Sequence, residues 1–243
     1  MSAPPQAGPL PPPHDKRRYV REMFEGIAPS YDLLNHLLSL NIDRGWRKAA
    51  VAALDWERAP HGRFLDACAG TQDLAAMLAG RPRFGGRVIA ADFALGMLKL
   101  GRDKAPAGRV SPVVADAVEL PVAVGTFDGA MVAFGVRNLT DIAAGFVEFH
   151  RVLKPGAKLV VLDFTTPRLP LLRAGYLFYF RRVLPLVGRL VSGHPTAYNY
   201  LPSSVVEFPP PESLRGMMEA AGYHDCGYRL LTGGIAALHW GVK

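Results

Sequence analysis

Arg63-Phe64-Leu65-Asp66-Ala67-Cys68-Ala69-Gly70-Thr71-Gln72-Asp73 is the stretch on which the fold turns. A short apolar run closes on an acidic residue, a loop of small residues follows, and Asp73 opens a helical pattern. The spacing predicts a strand over Arg63–Ala67 and a helix over Asp73–Ala79. The alternation continues downstream, with strands at Arg87–Asp92, Arg109–Ala115, Phe127–Phe134 and Lys158–Asp163 and helices over Leu95–Arg102 and Asp141–Leu153. Lys154-Pro155-Gly156 reads as a turn that ends the second of these helices. Further on, Glu212–Gly222 reads as a helix, and Tyr223–Leu231 and Ile235–Val242 as strands joined by Thr232-Gly233-Gly234, an antiparallel hairpin at the sheet edge. Strand-then-helix alternation builds a parallel sheet covered on both faces. The expectation is an α/β, Rossmann-like fold: a seven-stranded, mostly parallel sheet with helices on both sides.

Upstream, Arg18–Ile27, Pro29–Leu40 and Arg47–Leu54 read as short helices, with Pro29 at a helix start and Tyr31, Leu34, Leu37 and Leu38 at helical spacing. Six of the 21 prolines fall within Met1–Pro13, so residues 1–15 read as a Pro-rich tail. Residues 16–243 then form one domain, with a helical lid at 16–56 and a basic apolar insert at 164–206.

Hydrophobic residues make up 49% of the 243 and charged residues 20%, enough for a sizeable core and too apolar for wholesale disorder. Cys68 and Cys226 stand far apart and match neither a disulfide framework nor a zinc site, which fits a reducing, cytosolic setting. No secretion signal is expected. No membrane span is expected either, because the apolar stretch Leu169–Val191 is interrupted by Arg173, Arg181, Arg182 and Arg189.

The net charge is +7, and its distribution says more than its sum. Phe164–Val206 contains no Asp or Glu, and it mixes Arg168, Arg173, Arg181 and Arg182 with leucines, tyrosines and phenylalanines. That mixture suits peripheral attachment to the anionic inner face of a cell membrane. The competing reading makes the apolar residues core and the arginines a solvated face. Nucleic acid is not expected as a partner, since no binding module accompanies the charge.

In a doubly wound sheet the ligand sits beyond the carboxyl ends of the strands at the switch point. The loop there, Asp66 to Asp73, has one glycine, Gly70, and lacks the GxGxxG spacing that a pyrophosphate requires; a nucleoside without phosphate asks less of the backbone. Asp92, about 20 residues on at the end of the second strand, is placed to bind both ribose hydroxyls. Asp116 and Ala117, after the third strand, offer an acceptor and a backbone amide to an adenine. Any one of these acids, taken alone, could equally be a turn former or a helix cap.

With these residues in order, the sequence resembles the class I S-adenosyl-L-methionine-dependent methyltransferases. Lys16-Arg17-Arg18-Tyr19-Val20-Arg21-Glu22-Met23-Phe24-Glu25-Gly26-Ile27-Ala28-Pro29-Ser30-Tyr31-Asp32, Phe134-Gly135-Val136-Arg137-Asn138, Arg151-Val152-Leu153-Lys154-Pro155-Gly156 and the ending Leu231 to His239 narrow the likeness to the quinone C-methyltransferases of menaquinone and ubiquinone synthesis. The resemblance implies methylation of a polyprenyl quinol, most naturally demethylmenaquinol, with S-adenosyl-L-methionine as cofactor. It places cofactor contacts at Asp66, Gly70, Thr71, Asp92, Asp116, Ala117 and Ala133, the last replacing a usual serine. It places catalysis at Arg137, Asn138 and Tyr31: Arg137 to stabilise a phenolate, Asn138 to orient the oxygen. Arg137 has a rival role as an anchor of the strand end through carbonyl oxygens. Tyr198 and Tyr200, with Arg181 and Arg182, are substrate-side and membrane candidates, and Asp32 and His194 are secondary ones.

Gln72 stands where the family has glycine. At positive φ it would carry strain of about 1–3 kcal/mol, and its side chain could crowd the methionine end of the cofactor. With Ala133, it keeps open a reading as a cofactor-binding scaffold, beside that of a methyltransferase for another lipidic acceptor. The insert and the edge hairpin are two surfaces at which a homodimer could form.

Overall fold

The computed structural model of the protein describes residues 13–39, 41–179, 182 and 195–243. Strands β1 (Arg63–Ala67), β2 (Arg87–Asp92), β3 (Val110–Val114), β4 (Phe127–Ala133), β5 (Leu153–Phe164), β6 (His224–Leu231) and β7 (Ala236–Val242) form a seven-stranded sheet in the order β3-β2-β1-β4-β5-β7-β6. β1 to β5 pair in parallel, and β7 enters antiparallel between β5 and β6. The chain winds outward from β1 to β3 on one side and from β4 to β6 on the other. The switch point therefore lies between β1 and β4.

Period-two alternation sorts the strand side chains onto two cores. Phe64, Val88, Ala90, Met131, Val160 and Leu162 face α2 (Ile42–Ala53) and α3 (Asp73–Ala79), meeting Trp46, Ala50, Val51, Leu74 and Leu78. Leu65, Ala91, Val132, Leu159 and Val161 face the other way, onto Phe146, Phe149 and Val152 of α5 (Ile142–Val152). The same core takes Leu214 and Met218 of the helix Pro211–Ala220. α3 has seven residues and α4 (Leu95–Leu100) six, too short to persist alone. Burial of Leu78, Met97 and their neighbours, at about 1.5–3 kcal/mol per side chain, is what holds them.

Three expectations change. The first two helices are one, α1 (Pro13–Leu38), which runs through Pro29 and starts ahead of the predicted domain boundary at Lys16. Pro29 has no N–H to give the Glu25 carbonyl, yet buried Ile27 and Ala28 and half-buried Tyr31 pack the turns around it, and tertiary contact outweighs the proline penalty. α4 ends at Leu100 rather than Arg102, with Gly101 as its C-cap giving its N–H to the Met97 carbonyl; a side chain there would lie 2.4 Å from the Thr71 carbonyl. Lys154-Pro155-Gly156 lies within β5 as a bulge: the ladder to β4 jumps from Phe127↔Leu153 to Gly129↔Lys158. Gly156, at φ 77, gives its N–H to the Lys243 carbonyl at 2.7 Å.

After β5 come α6 (Pro170–Phe178) and α7 (Pro195–Glu207), and the helix Pro211–Ala220 is α8. Among the described residues no helix is long and apolar enough to cross a membrane. Arg181 and His194 fall outside the described residues.

Candidate active site

The loop after β1 coils through three left-handed residues, Cys68 (φ 51), Gly70 (φ 52) and Gln72 (φ 64). Gly70 can do this freely; Gln72 does so at a cost of order 1 kcal/mol. Its side chain is 2% exposed and turns beneath α4, where Nε2 donates to the Leu98 carbonyl at 2.5 Å. It lines neither of the clefts described below, being turned away from both.

Two adjoining clefts open at the switch point. The larger, counted out to its open mouth, spans about 620 Å³, a size suited to a small-molecule ligand. Gly70, Asp92, Phe93, Met97, Asp116 and Ala117 line one end of it, and Asn138, Leu139 and Thr140 also border it. Asp92 is nearly buried, and burial raises its pKa. Its Oδ2 accepts the Gly70 N–H and its Oδ1 the Ala94 N–H, both at 2.8 Å. A carboxylate with about four acceptor sites retains capacity beyond these bonds, which a ribose hydroxyl could use. Asp116 accepts the Val118 N–H at 3.1 Å and pairs with Arg17 at 2.9 Å.

The second cleft, of about 310 Å³, holds Asp66, Thr71, Asp73 and Arg47. Asp66 is 1% exposed and accepts the Ala75 N–H at 2.9 Å. Burial, with the charges of Asp73 and Asp92, outweighs that bond and Arg47 and pushes its pKa up to about 8. Arg47 is buried too, paired with Asp43 at 2.7 Å and lying over the Phe134 ring. Lys104 bridges Thr71 and Asp73 at 2.9 and 2.6 Å. Acids and a fixed cation side by side match an amino-acid head, which carries both charges. Tyr31 and Ala133 line both clefts and mark where they meet.

α1 lies across the larger cleft and is tied down at three places. Lys16 donates to the carbonyls of Arg137 and Leu139 at 3.2 and 2.6 Å, Arg17 reaches Asp116, and Glu25 accepts the Gly96 N–H at the start of α4. Arg47, Glu25, Lys16 and Arg17 were not singled out as site residues. The last three belong to the N-terminal motif quoted above, whereas Arg47 has no sequence signal beyond Asp43 one turn before it.

At the acceptor end the candidates separate. Asn138 borders the cleft, donates to the Phe134 carbonyl at 3.3 Å and accepts the Tyr200 hydroxyl at 3.2 Å. Tyr200 is 5% exposed, and burial pushes its pKa up to about 12. Arg137 turns inward instead. Its guanidinium meets Asp163 at 2.7 Å and the Phe134 carbonyl at 2.5 Å and lies over the Phe164 ring, so it lines neither cleft. These are the contacts of the strand-end anchor, with the buried Asp163 carboxylate holding the cation. Tyr198 is on α7 two residues before Tyr200, and Arg182 is exposed.

A mostly parallel sheet with an inserted antiparallel β7, bearing a nucleoside-sized cleft at its switch point, defines the class I methyltransferase fold. A solved structure from Thermotoga maritima, described as a SAM-dependent methyltransferase and possible histamine N-methyltransferase, shares it at a TM-score of 0.64 and 18% identity, covering 92% of this chain and 99% of that one. The chain belongs to the ubiE/COQ5 methyltransferase family, whose model matches residues 13–243. It is 49% identical over 223 residues to the demethylmenaquinone methyltransferase of Thermus thermophilus, covering 91% of this chain and 100% of that one. It is 44% identical over 233 residues to the ubiquinone/menaquinone biosynthesis C-methyltransferase UbiE of a Geobacter species, covering 94% and 98%.

Proposed function

We propose that this chain methylates a ring carbon of a polyprenyl hydroquinone, with demethylmenaquinol as acceptor and S-adenosyl-L-methionine as methyl donor. The observation that carries the donor reading is the paired cleft: a diol-binding carboxylate, Asp92, on one side and an amino-acid-like charge set on the other, meeting at Tyr31 and Ala133. The acceptor reading is supported by relatives at 44–49% identity over nearly the whole chain.

When bound, the donor supplies an electrophilic methyl group on a sulfonium whose C–S bonding pair returns to sulfur. Asp92 would hold the ribose, Asp116 and the Ala117 amide the adenine edge, and Asp66 and Arg47 the ammonium and carboxylate. An ammonium beside Asp66 would displace its proton. The Tyr31 ring and Ala133 keep the junction apolar, which favours dispersal of charge. A hydroquinone carbon becomes nucleophilic as an adjacent phenol loses its proton, so the acceptor end must stabilise a growing oxyanion. The Asn138 amide, which borders the cleft and has a second N–H, is the donor for that oxygen, and the Tyr200 hydroxyl, donating to Asn138 Oδ1, orients it. Arg137 is a positioning residue: held by Asp163, it fixes the turn that carries Asn138, and its charge lowers the proton affinity of Tyr200.

Calorimetry with S-adenosylhomocysteine tests the donor site. One equivalent should bind, and Asp92→Ala should weaken it about 10- to 100-fold, the worth of charge-assisted hydrogen bonds. No binding by the parent protein at any concentration would overturn the assignment.

A further inference from the structure

We infer that the amino ends of β1, β2 and β3 form a docking surface for an acidic helix of a partner protein. The surface lies at the end of the sheet opposite the clefts, and it does not depend on the proposed reaction.

The chain opens three strands in the same way, with Gly62-Arg63-Phe64, Gly86-Arg87-Val88 and Gly108-Arg109-Val110. The sheet sets these openings side by side. Arg63 and Arg87 are register partners; Val88, the partner of Val110, gives its N–H to the Arg109 carbonyl at 2.9 Å, so Arg109 stands opposite Arg87. Register partners leave a sheet on one face, about 4.8 Å apart from strand to strand. Three arginine side chains thus leave the base of the sheet in one row. Arg63 and Arg87 are exposed, and Arg109 is half-buried with Nη1 on the Gly86 carbonyl at 3.3 Å.

Like charges set opposite one another on neighbouring strands repel. The described residues do not offset that repulsion, because none of the three arginines forms an ion pair among them. Asp128 follows in the row, beside Arg63, but it is spent elsewhere: Oδ2 accepts the Arg63 backbone N–H at 2.9 Å and Oδ1 meets Lys154 at 2.6 Å. The loops at 57–62 and 80–86 add Arg58 and Arg83, both exposed, against one acid, Glu57.

A row of cations that the fold leaves without counter-charge is a surface for an anion, and its spacing selects the kind. Helix positions three and four residues apart lie about 5–6 Å from one another, close to the strand spacing. One acidic helix face can therefore meet the row carboxylate by guanidinium, in the forked pairing that arginine favours. A single-stranded nucleic acid calls for exposed rings on which bases stack, and the rings at this end, Trp56 and Phe84, are buried.

Fluorescence anisotropy of the full chain tests the docking, with a labelled helical peptide of repeating Glu-Ala-Ala-Ala, its Gln-Ala-Ala-Ala counterpart and a thymidine oligonucleotide of the same charge. The Glu peptide should bind and be released as salt rises. Arg63→Gln with Arg87→Gln should weaken it about tenfold, the worth of two exposed ion pairs. The same variant should melt about 1–3 °C above the parent as the repulsion is relieved, which also shows that it is folded. No binding of the Glu peptide, equal binding of the Gln peptide or tighter binding of the oligonucleotide would overturn the inference. So would a variant that holds the Glu peptide as the parent does, or one that melts lower, since the arginines would then serve the fold itself.

Discussion

Gln72 shows how a residue can look wrong in a motif and be right in the fold. Its backbone needs φ 64, as the family's glycine implies, and its amide is spent on the Leu98 carbonyl under α4. Gln72→Gly should therefore leave S-adenosylhomocysteine affinity unchanged in calorimetry, with the relief of strain and the lost hydrogen bond, each about 1 kcal/mol, roughly offsetting in the thermal midpoint. A rise in affinity would revive the crowding that the sequence suggested. Asp66 makes a prediction in pH. Its pKa is 3.8 unperturbed and about 8 in the fold, so between these values the folded state holds a proton that the unfolded state has lost. Its contribution to stability must fall as pH rises from about 4 to about 8. Asp66→Asn, which mimics the protonated acid, should gain on the parent in thermal midpoint across that range; a constant difference would contradict it. Asp92, Asp116 and Tyr31 were legible because strand ends and motif order announce them. Arg47 was not, because its role depends on the packing of α2 against the β1 loop.

At the scale of elements, the strand at Arg63–Ala67 and helix at Asp73–Ala79 could be read to the residue, since a buried parallel strand is a continuous apolar run and Asp73 marks a helix start. The N-terminal helices could not, because Pro29 is a local signal and the contacts that override it come from α4 and α7. The turn Val136–Asn138 was read for chemistry in both its side chains, and the structure divides the labour: Asn138 faces the cleft and Arg137 ties the turn to the end of β5. Asp163→Asn would leave the Arg137 cation buried with a neutral partner. It should cost about 3–5 kcal/mol, of order 10 °C in a chain of this size, and adding Arg137→Gln should restore part of the loss. A midpoint unchanged in Asp163→Asn would show that the pair does not hold the turn.

For the whole molecule, sheet order, cleft and lid are consistent with one another. The switch point sets the donor site, α1 spans it, and α7 packs its apolar residues against α1 and α6 beside the acceptor end. The fold alone leaves the acceptor open, since one fold of this class hosts many acceptors. The acceptor is therefore the claim to measure. The protein would be mixed with S-adenosylmethionine, liposomes and equal amounts of reduced demethylmenaquinol and 2-methoxy-6-polyprenylbenzoquinol, and the lipid extract read by mass spectrometry. One methyl mass gained on the naphthoquinol is the predicted result. No methylated hydroquinone, from a preparation that binds S-adenosylhomocysteine and beside an active relative, would contradict it.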